Sequence, residues 1–168
     1  MSIIAAVPID DYLTSCYRPD REYLEGELLE RNVGEWDHSK LQARLIVYLS
    51  QLSTTEQIHV VPEQRVQVSR SRFRVPDVSV VVGPEPQEQI LTSPPFFCIE
   101  ILSRDDRMTE MQERIEDYLR FGVRYVWVLD PRVKRAFAFT AIGVSKAVDQ
   151  ALQTENPALS VPFSALFL

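Results

Sequence analysis

Two cysteines, two histidines and five glycines in 168 residues leave little material for several common chemistries. Cys16, Cys98, His38 and His59 show no zinc-ligand spacing. A chain of this length needs no disulfide staple, and Cys98, inside the apolar run PPFFCIEIL, reads as a buried free thiol. The glycines are isolated and form no phosphate-cradling loop, and no nucleophile elbow is present. Nucleotide hydrolysis and acyl transfer are therefore not expected, and neither is an organic cofactor. No apolar run approaches the roughly 20 residues that span a bilayer. The start, MSIIAAVPIDDY, has no basic region and no clean cleavage site, so it does not read as a signal peptide. These absences predict a cytoplasmic protein without a membrane partner.

A surplus of basic residues is also missing. Lysine and arginine number 18 against 24 aspartates and glutamates, giving a net charge of -6. That balance does not suit a protein that simply coats nucleic acid, because phosphate binding calls for excess cations. It suits a metal-dependent nuclease better, since clustered carboxylates repel one another until a cation arrives. Arg65, Arg70, Arg72 and Arg74 form a local basic stretch, which reads either as phosphate contacts or as a solvated strand surface.

The hydrophobic fraction of 45% and charged fraction of 25% are those of a globular chain, and the length predicts one domain over residues 1–168. REYLEGELLER reads as an opening hairpin turning at Glu25-Gly26. Leu41, Leu45, Val47, Tyr48 and Leu52 recur at helical spacing and predict a helix from about Glu35 to Leu52. Strand patterning follows from Ile58 to Ser69, with a turn or bulge over Arg70–Arg74. Two apolar strands, at Val75–Val82 and Phe96–Leu102, come next. Met108, Met111, Ile115, Tyr118 and Leu119 form a second helical stripe ending at Gly122, with capping side chains in Ser103–Asp106. Strands at Val123–Asp130 and over KRAFAFT complete a mixed α/β (α+β) pattern with a helical crossover, and the tail from Thr154 to Leu168 is expected to pack back on the body.

Asp77 and Glu100 do not belong in their strands on hydrophobic grounds. Buried carboxylates are costly without a partner. A divalent cation, Mg²⁺ or Mn²⁺, would accept both of them, with the Ile101 carbonyl and waters; pairing with arginine or reaching solvent is the other account. At about 100° per residue Arg107, Arg114 and Tyr118 share one edge of the second helix, and either line a cleft or border a buried stripe. His38 is either a helix-start residue packing locally or a group at the cleft.

Taken together, REYLEGELLE, His38, RVPDVSVV, CIEILSRDDR and IEDYLRFGVRYVWVLDP resemble a large bacterial family of restriction-endonuclease-like proteins, abundant in cyanobacteria and long catalogued as a domain of unknown function. The similarity runs from about Glu22 to Phe139. It implies the PD-(D/E)xK nuclease fold, a central mixed sheet flanked by helices, with the N-terminal hairpin added. It also implies that Asp77, Glu100 and Glu27 hold the metal and that Asp77, Glu100 and Arg114 act in catalysis. Arg107, Arg114, His38 and Tyr118 would contact substrate. The family departs from its superfamily in lacking a lysine two residues after the glutamate, here Leu102. This chain departs further, carrying Arg114 where the family often has lysine, and a guanidinium is a poor general base. The expectation is a metal-dependent DNA endonuclease; the alternative is an inactive nuclease fold serving as a nucleic-acid-binding or structural module. A homodimer joined through RAFAFT or the tail is expected as well.

Overall fold

A computed structural model of the chain describes residues 6–32, 34–52, 57–147 and 150–167; the apolar start at 1–5 and Leu168 lie outside these. A short helix α1 (Ile9–Thr14) leads into the hairpin β1 (Arg21–Leu24) and β2 (Glu27–Glu30), turning at Glu25 and Gly26, both at positive φ. Helix α2 (Trp36–Ser50) follows. Next come β3 (Ile58–Pro62), β4 (Val66–Ser69), β5 (Arg72–Arg74), β6 (Val78–Val82) and β7 (Phe97–Ile101). Helix α3 (Met108–Phe121) ends at Gly122 in the left-handed region, φ 113°, where a side chain would be strained. The remainder comprises β8 (Tyr125–Asp130), β9 (Arg135–Thr140), β10 (Gly143–Lys146), β11 (Ala151–Gln153), β12 (Ser160–Pro162) and the one-turn α4 (Phe163–Leu166).

Six strands form the central sheet in the order β10-β9-β8-β7-β6-β3, and β7 and β8, joined through α3, are its parallel pair. The other neighbours are antiparallel, so the sheet is mixed as predicted. Alternation along β7 sorts its side chains between two layers. Phe97, Ile99 and Ile101 join Leu41, Leu45 and Leu49 of α2 on one face. Cys98 joins Met111, Ile115 and Tyr118 of α3 on the other. Glu100, two residues from Cys98, therefore points toward α3, where hydrocarbon alone would be expected.

The segment from Ile58 to Ser69 does not run as one strand. Glu63 takes a positive φ of 50°, the chain turns, and β4 leaves for a second sheet of order β2-β1-β5-β4. The predicted turn over Arg70–Arg74 is confined to its first residues, and Arg72–Arg74 is itself a strand paired to β1 and β4. A third apolar cluster of Tyr12, Tyr23 and Phe73 fastens α1 onto this smaller sheet.

Of the segments expected to join a dimer, RAFAFT keeps Phe137 and Phe139 half-buried. Strand β9 lies inside the central sheet with Ala136 and Ala138 buried, and Leu159, Val161 and Leu166 of the tail enter the core beside α2. Among the described residues no helix is long and apolar enough to cross a membrane.

Candidate active site

The register of the central sheet explains how two carboxylates 23 positions apart meet. Val78 pairs with Ile99 across β6 and β7, and extending that antiparallel ladder by one residue sets Asp77 opposite Glu100. Both are buried, with Arg31, Asn32, His38, Ile101, Ser103, Asp106 and Arg114 around a shared cavity of about 30 Å³. That is room for a water-sized body and little more.

Asp77 is held from three sides. Its carboxylate pairs with the Arg31 guanidinium, accepts the Ile101 N–H at 2.6 Å, and lies 3.3 Å from His38 Nε2. Burial alone would raise its pKa, but the His38 hydrogen bond, the nearby cations and the Ile101 N–H outweigh burial and hold the group below its ordinary value. The reciprocal effect of Asp77 keeps His38 above its usual value against burial. His38 Nδ1 is buried without a protein partner.

Glu100 responds in the opposite direction. Burial first and the Asp77 charge second push its acid up to about 8, and the Arg114 charge and the Tyr118 hydrogen bond only partly offset them. The Tyr118 hydroxyl donates to Oε1 at 2.7 Å from the buried face of α3. Two like-charged groups that face each other in a buried site cannot both ionise freely, and here their surroundings decide which one does.

Arg114 lies 3.3 Å from Glu22 Oε2 and 3.7 Å from Asp106 Oδ1, with its charge set toward Glu100. These carboxylates outweigh its burial and raise its pKa further, so it remains a cation. Asp106 does not cap α3 in the expected manner. It accepts the backbone N–H of Ser103 at 2.6 Å and an amide proton of Asn32 at 3.0 Å, which closes the entrance loop over the cavity.

The structure thus brings Asp77, Glu100, His38, Arg114 and Tyr118 together. It leaves two candidates outside. Arg107 precedes α3, is exposed, and is 3.9 Å from Glu110. Glu27, expected to approach the metal, is exposed at the turn end of the hairpin opposite Leu24. The hairpin glutamate that reaches the interior is Glu22, which receives Arg74 Nη1 at 2.7 Å and the Val75 N–H at 3.2 Å. Glu22 and Glu27 fall on the same face of the hairpin, and depth along it separates them. Arg31 and Asn32 had no periodicity or composition to mark them beforehand, and Ser103 and Asp106 stood out only as helix-capping side chains.

The donor set can be tested against a divalent ion. Two hard carboxylates share one cavity, and burial first, with the Asp77 charge second, disfavours the ionised form of Glu100, a penalty that a cation would relieve. Among the described residues no group of three or more histidine, cysteine or acidic side chains has a metal-binding arrangement. Mg²⁺ needs fewer, since one or two carboxylates with waters and substrate phosphate oxygens complete its shell. The pair fits on that basis, with Arg31 as the competing occupant of Asp77.

A family model described as "Uma2: Putative restriction endonuclease" matches residues 9–166. The chain belongs to this family. Its restriction-endonuclease-like, PD-(D/E)xK-type fold is the one seen here, a mixed sheet between helices with Asp77 and Glu100 at facing strand ends. Among solved structures, the chain is similar to "a putative nuclease belonging to DUF820" from Anabaena variabilis, at 24% identity and a TM-score of 0.80 over 95% of this chain and 98% of that one. At that identity the likeness concerns the fold. No curated protein matches the sequence.

Proposed function

We propose that this member of the Uma2 family is a metal-dependent endonuclease acting on DNA phosphodiesters, with Asp77 and Glu100 as its metal-holding pair. The observation that carries the reading is the two carboxylates facing each other across β6 and β7 on one small polar cavity. A divalent cation held there supplies Lewis acidity toward a phosphoryl oxygen. The protein's own groups divide the remaining work. The Ile101 N–H and His38 fix the orientation of Asp77, and Tyr118 fixes that of Glu100. Arg114, permanently charged and tied to Glu22, offers hydrogen-bond donors to a non-bridging phosphate oxygen. Glu27 and Arg107 take no part in this arrangement.

A second reading rests on Arg31 and Arg114. Arg31 already pairs with Asp77 where a cation would bind, and Arg114 cannot serve as a base. A nuclease fold that binds without cutting fits those two facts. Calorimetric titration with Mn²⁺ of the wild type, Asp77→Asn and Glu100→Gln, followed by nicking of supercoiled plasmid, separates the two. Metal binding and nicking that vanish in both variants support the nuclease. Folded wild-type protein that neither binds Mn²⁺ nor nicks DNA in its presence supports the binding module.

A further inference from the structure

Two guanidiniums line the Asp77–Glu100 cavity, and they are held in different ways. Arg114 lies 3.3 Å from Glu22 and 3.7 Å from Asp106, carboxylates less exposed than itself, so its charge is drawn inward. Arg31 is drawn in two directions. Its Nη2 pairs with buried Asp77, while its Nη1 lies 3.8 Å from Glu63, whose side chain is 51% exposed. The residue directly follows β2, and its backbone N–H donates to the Asp20 carbonyl at 3.2 Å, which fixes the main chain and leaves the long side chain as the part that can move. Space for that movement is at hand, because Arg31, Asn32 and Ser103 line both the cavity and a neighbouring opening of about 520 Å³. Glu30 and Glu35 on the opening are engaged at the surface by Arg21 and Arg104, at 3.3 and 3.9 Å, so Glu63 is the carboxylate positioned to receive Arg31.

Asp77 divides its contacts between its two oxygens. Oδ2 accepts the Ile101 N–H at 2.6 Å and lies 3.3 Å from His38 Nε2, groups carried by β7 and α2. Oδ1 takes Arg31. Withdrawal of Arg31 therefore keeps the carboxylate oriented and frees one oxygen for another cation. An unpaired buried carboxylate is costly, and the guanidinium removes that cost before a metal binds. The same contact competes with any metal for Oδ1. A divalent ion that binds Glu100 as well gains two carboxylates where Arg31 pairs with one, so a sufficient concentration of the ion reverses the pairing.

We propose that Arg31 is an exchangeable counter-ion, holding Asp77 Oδ1 until a divalent ion takes that oxygen and then swinging to Glu63. This deepens the nuclease reading by naming what regulates the loading of its metal pair, and it rests on that reading. Mn²⁺ affinity is measured by calorimetry on the full-length protein, for the wild type, Arg31→Met, Glu63→Gln and the double variant. Arg31→Met should bind Mn²⁺ about tenfold more tightly than wild type, since the competing cation is gone. In EDTA it should melt below wild type, because buried Asp77 has lost its guanidinium partner, and Mn²⁺ should raise its Tm by more than it raises that of wild type. Glu63→Gln removes the outer acceptor at a half-exposed position and should weaken Mn²⁺ binding about two- to fivefold, an effect that the Arg31→Met background should erase. Arg31→Met that folds and binds Mn²⁺ no more tightly than wild type overturns the counter-ion role, as does a Glu63→Gln loss of equal size in both backgrounds. If Arg31→Met does not fold, unchanged Mn²⁺ affinity in Glu63→Gln overturns it. Mn²⁺ binding by wild type that Asp77→Asn abolishes keeps the metal pair standing in each of those cases. Absence of Mn²⁺ binding in wild type and Arg31→Met alike removes the metal pair and the exchange together.

Discussion

Asp77 and Glu100 face each other across the ends of β6 and β7, and the protein assigns them opposite protonation behaviour. Arg31, His38 and the Ile101 N–H surround Asp77 and keep it ionised below its usual range. Glu100 has burial and Asp77 against it, and its acid is pushed up to about 8. The pair therefore carries close to one charge near neutrality, and adding a second charge is the step that a cation would assist.

Stability should reveal this asymmetry. Between the ordinary glutamate value of 4.5 and about 8, the folded protein keeps a Glu100 proton that the unfolded chain releases. Stability attributable to Glu100 therefore falls as pH rises through that window. Asp77 behaves oppositely: its contribution is present above 3.8 and is lost as pH falls through its lower folded value. Glu100→Gln, which imitates the protonated acid, should flatten the loss of Tm between about pH 6 and 8.5 by several degrees relative to wild type. Parallel pH profiles in thermal melts would show that another group titrates.

Metal binding should be linked to the same proton. A cation that takes Glu100 as a carboxylate must displace that proton, so Mn²⁺ affinity should rise with pH up to about 8 and level off above it. Calorimetry in two buffers of different ionisation enthalpy reads the released proton directly. Identical heats in both buffers at neutral pH would separate metal binding from Glu100.

Glu22 and Glu27 give a contrast within a single hairpin. Glu22 is buried against Arg74 and beside Arg114, and Arg74 also reaches Asp117 Oδ2 at 2.7 Å, so Glu22, Arg74 and Asp117 form a buried charge network. Removing one carboxylate strands buried guanidinium charge. Glu22→Ala should cost about 3–5 kcal/mol in urea denaturation, whereas exposed Glu27→Ala should stay within about 0.5 kcal/mol. Equal costs would contradict the depth difference seen along β1 and β2.

These glutamates also show where sequence reasoning reaches its limit. The stripe of Met111, Ile115 and Tyr118 was legible because helical periodicity encodes a buried face, and Asp77 and Glu100 stood out because each interrupts an apolar strand. Nothing local distinguishes Glu22 from Glu27, since the partners that bury the first, Arg74 and Arg114, lie 52 and 92 residues away. Arg72 and Arg74 were hidden for the same reason. Both neutralise Asp117, Arg74 from within the core and Arg72 from its edge, where it also meets the exposed Glu113. The separation of β3 from β4 depends on the backbone at Glu63, which alternation of side chains does not report. Arg107 was placed on the helix edge by angular spacing, yet α3 begins one residue later and releases it to solvent.

Arg114→Lys tests what the arginine contributes. A lysine here would lie among Glu22, Glu100 and Asp106, whose charges favour its protonated form, while burial works toward the neutral amine. With Glu100 ionised and no cation present, the acidic neighbours prevail and the amine stays charged. A divalent ion on Asp77 and Glu100 would cancel much of that bias and leave burial to lower the lysine pKa toward the range of a useful base. Nicking of supercoiled plasmid with Mn²⁺ should therefore rise in Arg114→Lys, by up to about 10²-fold if proton transfer limits the rate, and Asp77→Asn in the same background should abolish the gain. A rate that falls instead would mean that the guanidinium's hold on phosphate matters more than a base at this position, leaving arginine as the functional choice for this chain.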